Sequence, residues 1–305
     1  MGKFGSNSMR NRGNSYYPYG AYRMGMAVGN RRTASLLTQE TYYQQMKVTI
    51  PYNDLIRDSY GFSEEHFSHD HEWEVLRCLY ERNYVKSQIE GQISKIPKIV
   101  HMVWLGGELP SECRKFLESW QRFHPLWEIR LWGDKEAEEF PMTRRDMFEA
   151  SANNGQKSDI FRAEILYKYG GIYCDTDFEC LKPFDDLLYL DFFTSSGYVD
   201  KVELYIGLMA SIPQHPIIGR YLNDMTGVDR HNSIWNIFET TGSWYMTKCF
   251  FKEVDENTEG VVAFAPGFFY PWPNNDRGCL NPEKYIKDFS YAIHHWAVSW
   301  VLRKK

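Results

Sequence analysis

From residue 96 onward the sequence predicts an α/β fold, a sheet flanked by helices. Three observations carry that reading. Short buried strands alternate with helical stretches, the first strand stops at Gly106-Gly107, and a helix-to-strand break at Gly170-Gly171 leads into an Asp-x-Asp strand.

The elements follow in order. Ile99, Val100, Met102, Val103 and Leu105 make a buried strand ended by the two glycines. A helix is expected over 111–123 and a strand over Trp127–Trp132. Helices are expected near 134–153 and 158–169, then the strand ending at Asp175 and Asp177. Apolar runs at 191–195 and 203–211 read as strands. Helices are expected near 216–225 and 243–252, with strands at 261–265 and 290–296.

The first 95 residues differ. Residues 1–32 hold six basic residues (Lys3, Arg10, Arg12, Arg23, Arg31, Arg32) and no acidic one, which leaves 29 basic against 40 acidic residues beyond them. Rich in Gly, Asn, Ser and Tyr and without periodicity, this stretch reads as a disordered basic tail. Met1-Gly2-Lys3-Phe4-Gly5-Ser6 fits the loose N-myristoylation pattern, and a lipid with a basic tail would give peripheral membrane contact. An unmodified terminus is the simpler reading. Residues 33–95 read as a helical extension, with Glu72, Trp73, Val75, Leu76, Leu79, Tyr80, Tyr84 and Val85 at 3–4 spacing. His66, His69 and His71 lack the spacing of a ligand set and read as surface histidines.

The 305 residues suffice for one large domain with an extension. A net charge of −5 gives no nucleic-acid footprint. The six cysteines form no Cys-x-x-Cys pair, so neither zinc nor a disulfide framework is expected and a reducing, cytoplasmic compartment fits. No transmembrane run or signal core is evident.

Four groups of residues carry the chemistry. Asp175 and Asp177, two apart on a strand, should share a face, and two adjacent carboxylates suit a hard divalent cation such as Mn²⁺ or Mg²⁺. Ser158 is a natural N-cap for the helix before them. It would put Asp159 in the first turn, with Arg162 three residues on and on the same face. Trp104 ends the first strand, where ligands of α/β sheets bind. It could stack on a base or fill the core. His294 and His295, if on a strand, face opposite sides, and one imidazole could join a Mn²⁺ site.

Together, Trp104-Leu105-Gly106-Gly107, Ser158-Asp159-x-x-Arg162, Tyr169-Gly170-Gly171-Ile172-Tyr173-x-Asp175-x-Asp177 and His294-His295-x-x-x-Ser299-Trp300 resemble the DXD-containing sugar transferases of glycosyltransferase family 32. The donor-site motifs are also similar to those of the clostridial glucosylating toxins. The resemblance covers roughly residues 96–300 and implies a GT-A fold, a Rossmann-like mixed sheet flanked by helices, over 96–305. It implies a UDP- or GDP-sugar donor, Mn²⁺ or Mg²⁺, retention at the anomeric carbon, and transfer to a glycan, lipid or protein hydroxyl. Carried over by position, Trp104 would stack on the base, and Asp159 and Arg162 would hold the donor sugar and its phosphate end. Asp175 would touch sugar hydroxyls and assist the metal, Asp177 would ligate it, and His294 (with His295 as the other choice) would complete the set. Ser299 and Trp300 would close over the diphosphate. Glu239-Thr240-Thr241-Gly242-Ser243 departs from the family's Thr-Gly-Pro at Ser243, on the acceptor side. The rival readings are a nucleotide-sugar hydrolase and a decayed carbohydrate-binding protein.

Overall fold

A computed structural model describes residues 50–60, 70–87, 92–198, 201–231 and 233–297. The basic tail, His66, His69, Ser299 and Trp300 lie outside these residues. The architecture is the mixed α/β sheet flanked by helices that the sequence predicts. Six strands run in the order β2-β1-β3-β6-β5-β7. These are β1 (Ile99–Val103), β2 (Glu128–Trp132), β3 (Gly171–Cys174), β5 (Phe192–Tyr198), β6 (Val202–Ser211) and β7 (Val261–Phe264). β2, β1 and β3 are parallel, β6 runs antiparallel to β3 and β5, and β7 is parallel to β5. A separate antiparallel pair joins β4 (Phe178–Cys180) to β8 (Ala292–His294).

Two helices of the N-terminal stretch cover one end of the sheet. α1 (Tyr52–Tyr60) buries Tyr52, whose hydroxyl donates to Ala263 O at 3.1 Å and pairs with Ser196 Oγ at 2.6 Å. α2 (His71–Tyr80) is capped by Asp70, whose Oδ1 accepts from Glu72 N at 2.9 Å. It buries Trp73, Val75, Leu76, Leu79 and Tyr80, the 3–4 stripe that the sequence predicts. A π-helical turn, Glu81–Val85, continues it, and Asn83 Nδ2 donates to Val261 O at 2.9 Å. The outer strand β7 is thereby covered by helix. His71 opens α2 and is exposed.

α3 (Ser111–Phe123) follows β1 and buries Cys113, Phe116 and Trp120, again at 3–4 spacing. The single helix expected near 134–153 is two helices, α4 (Asp134–Glu139) and α5 (Arg145–Ala150). Phe140 between them is extended, at φ −69° and ψ 131°, because Pro141 bars the residue before it from the helical region. α6 spans Asn154–Tyr169, with Asn153 as its N-cap accepting from Gln156 N at 2.8 Å. Ser158 is therefore inside the helix and is not its cap, and Asp159 lies past the first turn. An earlier Asn with a free amide nearby captures the capping role. The chain then passes from α6 to β3 through Gly170 and Gly171, at φ 63° and 94°. A Cβ on Gly171 would stand 2.6 Å from Ile99 O, so only glycine lets β3 lie against β1.

The remaining helices are α7 (Pro216–Asn223), α8 (Ile234–Thr240) and α9 (Ser243–Phe251). α8, like the three-residue β4, is too short to show a period in sequence. No helix among the described residues is long and apolar enough to cross a membrane.

Two buried histidines tie this frame together in one protonation state. His101 Nδ1 accepts from Trp132 Nε1 at 3.2 Å and Nε2 donates to Gly170 O at 3.0 Å. His124 Nε2 accepts from the Phe184 amide at 3.0 Å, with Nδ1 toward Trp120 O at 3.2 Å. Burial pushes both imidazoles down to about 4. A depressed histidine contributes stability that is complete above its unfolded value near 6.5 and is lost as pH falls toward 4. Each should cost on the order of 3 kcal/mol by pH 4. The melting temperature should therefore fall on acidification from pH 7 to 4.5, and His124→Gln should flatten that dependence. An unchanged slope in the variant would contradict this account.

Candidate donor site at the edge of the sheet

β1 and β3 are parallel neighbours, with His101 beside Tyr173, so their C-terminal ends emerge at one edge of the sheet. That edge carries Trp104, half-buried just past β1, and the Asp175-Thr176-Asp177 segment just past β3. The two carboxylates are not on a strand, as the sequence spacing suggested. β3 ends at Cys174, and Asp175 to Asp177 form a tight turn closed by the Phe178 amide on Asp175 O at 3.1 Å. The carboxylates converge because the turn folds them inward, not through strand alternation. Gly207 on β6 makes the room: a Cβ there would stand 2.8 Å from Asp175 Oδ2 and 3.0 Å from Tyr270 Oη.

Asp177 is held by the C-terminal segment at three points. The His295 amide donates to its carbonyl at 3.0 Å. Its Oδ1 lies 3.0 Å from His294 Nε2, and its Oδ2 accepts from the Ala297 amide at 2.7 Å. Trp296 sits between those two amides at φ 51°, a left-handed conformation that non-glycine residues rarely take. Its indole lies 4.2 Å from the His294 ring centroid and donates through Nε1 to Trp272 O at 2.7 Å. Burial works against the Asp177 charge, but His294 and these bonds outweigh it and hold the carboxyl below its usual range.

His294 Nε2 faces Asp177, its ring stacks on Phe178 at 4.5 Å, and its Nδ1 is buried with no hydrogen-bond partner. His295 turns the other way. Its Nε2 meets Glu179 Oε2 at 3.1 Å and its ring stacks on Phe116 at 4.4 Å. Among the described residues, Asp175, Asp177 and His294 bring one ligand atom each within 4.8 Å of one another.

Behind the turn lies a buried chain of charge. Arg162 Nη2 is 3.0 Å from Asp159 Oδ1 and Nη1 is 3.3 Å from Asp175 Oδ1. Nη1 also donates to Ile206 O at 2.8 Å and Nε to Ser158 O at 3.2 Å, while the guanidinium lies 4.5 Å over the Tyr173 ring. Burial opposes this positive charge, but Asp175, Tyr173 and Asp159 outweigh it and keep Arg162 protonated. Burial raises Asp159 to about 7, against the pull of Arg162 and Thr241. It raises Asp175 as well, with Arg162 opposing and the Asp177 charge adding. Tyr173 Oη donates to Asp175 Oδ1 at 2.8 Å, and Thr241 Oγ1 donates to Asp159 Oδ2 at 3.0 Å.

Asp159, Arg162, Asp175, Asp177 and His294 thus form one contiguous network, with Trp104 at the same sheet edge and His295 outside it. The sequence reading assigns no part in this network to Tyr173 and Thr241, which stand in its quoted motifs, or to Gly207 and the Ala297 amide, which do not. Tyr173 was accessible, since it stands two before Asp175 at strand spacing. The other three are set by tertiary contacts.

Residues 110–193 match a family model described as a glycosyltransferase sugar-binding region containing a DXD motif. The chain is 29% identical over 143 residues to inositol phosphoceramide mannosyltransferase 1 of Schizosaccharomyces pombe, covering 45% of this chain and 44% of that one. It is 29% identical over 220 residues to uncharacterized glycosyltransferase L373 of Acanthamoeba polyphaga mimivirus, covering 67% and 84%. A solved structure, PaToxG glycosyltransferase, aligns with a TM-score of 0.41 at 17% identity, covering 52% of this chain and 70% of that one. The chain spans less than half of the fission-yeast relative's length.

Arg162 is the one cation shared by two carboxylates here, so removing it strands both. Arg162→Leu should lower the unfolding free energy by about 3–5 kcal/mol in urea denaturation, and a loss under 1 kcal/mol would contradict a structural role for the pair. Over residues 110–193 the chain is similar to a glycosyltransferase sugar-binding region containing a DXD motif, and Asp175-Thr176-Asp177 is the Asp-x-Asp sequence within that stretch.

Proposed function

We propose that this chain is a retaining glycosyltransferase that moves a hexosyl group from a nucleoside diphosphate sugar to a hydroxyl of a glycan or lipid. The observation that carries the reading is the convergence of Asp175, Asp177 and His294 at the carboxyl edge of a parallel strand pair, with Trp104 on the same edge. Ligands of α/β sheets bind at such an edge.

Two carboxylate oxygens and an imidazole nitrogen fit Mn²⁺, and Mg²⁺ less well. His294 Nε2 lies 3.0 Å from Asp177 Oδ1, a separation that two neighbouring ligands of one ion can take, and this supports the fit. Asp177, Asp175 and His294 would hold the ion. When bound, it supplies charge stabilisation to a departing diphosphate.

The chain's own residues do the rest. The C-terminal segment fixes the Asp177 carboxylate through the Ala297 amide. Tyr173 and Arg162 fix Asp175, Asp159 fixes Arg162 and Thr241 fixes Asp159, so the site is organised before the donor arrives. Trp104 offers a face for the donor base. Each carboxylate of the network already has a partner, and none stands free as a covalent nucleophile. We therefore assign the acceptor proton to the leaving phosphate oxygen, with substitution on one face and retained configuration. The fission-yeast relative is named for a lipid acceptor, which supports a lipid or a glycan over a protein.

The test is turnover of UDP- and GDP-sugars with Mn²⁺. Asp177→Ala should lower metal-dependent turnover by roughly 100-fold or more while circular dichroism shows the protein folded. His294→Ala should weaken Mn²⁺ binding more than His295→Ala does. Retained activity in the Asp177 variant would contradict the metal assignment, and donor cleavage that no acceptor ever captures would favour a hydrolase.

A further inference from the structure

Tyr270 reaches both sides of the site without holding any of its charges. It lies on the segment after β7 and is 2% exposed. Its ring meets Phe178 at 5.0 Å, just past the Asp175–Asp177 turn. On the C-terminal segment it meets His294 at 5.4 Å and Trp296 at 5.8 Å. Its hydroxyl accepts from the Leu208 amide of β6 at 2.9 Å. A phenol that accepts one bond still has a proton to give. Among the described residues no acceptor takes that proton.

A bulge in β6 brings this hydroxyl to Asp175. β5 and β6 pair at Phe193–Ala210 and again at Ser195–Tyr205, so Thr194 alone faces Ile206, Gly207, Leu208 and Met209. Such a bulge frees backbone groups from the ladder and re-aims them. Here Ile206 O accepts from Arg162, Gly207 O accepts from the Asp175 amide at 2.8 Å, and the Leu208 amide donates to Tyr270. Gly207 has no side chain to fill the space beside it. The position its Cβ would take is 2.8 Å from Asp175 Oδ2, 3.0 Å from Tyr270 Oη and 3.3 Å from the Phe178 ring. Asp175 Oδ1 is held by Tyr173 and Arg162, yet the side chain is still 31% exposed, so Oδ2 is the oxygen turned to the open edge. An open acceptor and an unused donor thus flank one gap, close enough for a single oxygen atom to bond both. A carboxylate oxygen has two lone-pair directions, so Oδ2 can serve a cation and a hydroxyl together.

We propose that Tyr270 is a donor-specificity residue: its O–H donates to one hydroxyl of the donor sugar, and that hydroxyl donates to Asp175 Oδ2. The group that fits must accept one proton and give another, which a hydroxyl does. A carbonyl or ether oxygen would leave Oδ2 unanswered, and an ammonium would leave the phenol unanswered. A sugar with that hydroxyl absent or turned away strands both groups. A site built to bond a hydroxyl rejects such an analogue far more strongly than an apolar pocket rejects a methylene. A buried water is the competing occupant, because it too gives and accepts.

This inference rests on the glycosyltransferase reading, so the test separates the two. The full chain with Mn²⁺ is titrated calorimetrically with UDP, GDP, UDP-glucose, UDP-galactose and GDP-mannose. Tyr270→Phe keeps the ring and removes the proton. It should weaken the sugar nucleotide that the parent binds by about tenfold, with the matching free nucleoside diphosphate within twofold of the parent. Gly207→Ala puts a methyl into the gap and should show the same split; if it fails to fold, Tyr270→Phe decides alone. Against monodeoxy analogues of the bound donor, one position should cost the parent about tenfold more in kcat/KM than it costs Tyr270→Phe. An equal loss of nucleotide and sugar nucleotide overturns the proposal in favour of a purely structural part for Tyr270. A lowered urea midpoint with every affinity and analogue ratio unchanged overturns it in favour of a water alone. Parent protein that binds no sugar nucleotide overturns the underlying reading instead.

Discussion

A guanidinium buried between two carboxylates sets the geometry of this site. Arg162 is 5% exposed, and a charge so placed is tolerable only with close partners. Asp159 on its own helix and Asp175 on the following turn provide them, so α6 and the DXD turn are locked in one relative position. Arg162 answers Asp159 and Asp175, and Asp177 stands beside them with His294 and a backbone amide as its partners. The remaining negative charge is what a divalent ion would relieve. Structural need and metal chemistry thus converge on the same residues.

The second constraint comes from the far end of the chain. Asp177 is gripped at its carbonyl and at both carboxylate oxygens by residues 294–297. The left-handed Trp296 is what brings the His295 and Ala297 amides to bear on one residue. A non-glycine residue held in that conformation costs on the order of 1–3 kcal/mol, and such strain collects where the surroundings over-determine it. The arrangement makes the placement of the Asp177 carboxylate a product of two distant segments, so it depends on the small β4–β8 pair.

Much of this was legible in the sequence, for reasons that can be named. Long elements with a period declared themselves: the helix over 111–123, and α2 with its stripe of Trp73, Val75, Leu76, Leu79 and Tyr80. Asp159 and Arg162 were placed together by helix spacing alone. Asp175 and Asp177 were correctly paired for a reason that the fold does not use, since a tight turn and not a strand brings them together. The helix expected near 134–153 breaks at Phe140-Pro141, and Ser158 yields the cap to Asn153, which comes first. What no local pattern could supply were contacts across the chain: Thr241 on Asp159, Gly207 beneath Asp175, and the Ala297 amide on Asp177.

The central claim is that Asp177, Asp175 and His294 together hold one divalent cation against a nucleoside diphosphate. A crystal grown with Mn²⁺ and UDP or GDP, with anomalous data collected near the manganese edge, tests it most directly. The account predicts one strong anomalous peak in coordination range of Asp177 and His294, with the diphosphate beside it and the base on Trp104. A peak elsewhere on the molecule, or an ordered diphosphate at this edge with no metal at these residues, would contradict it.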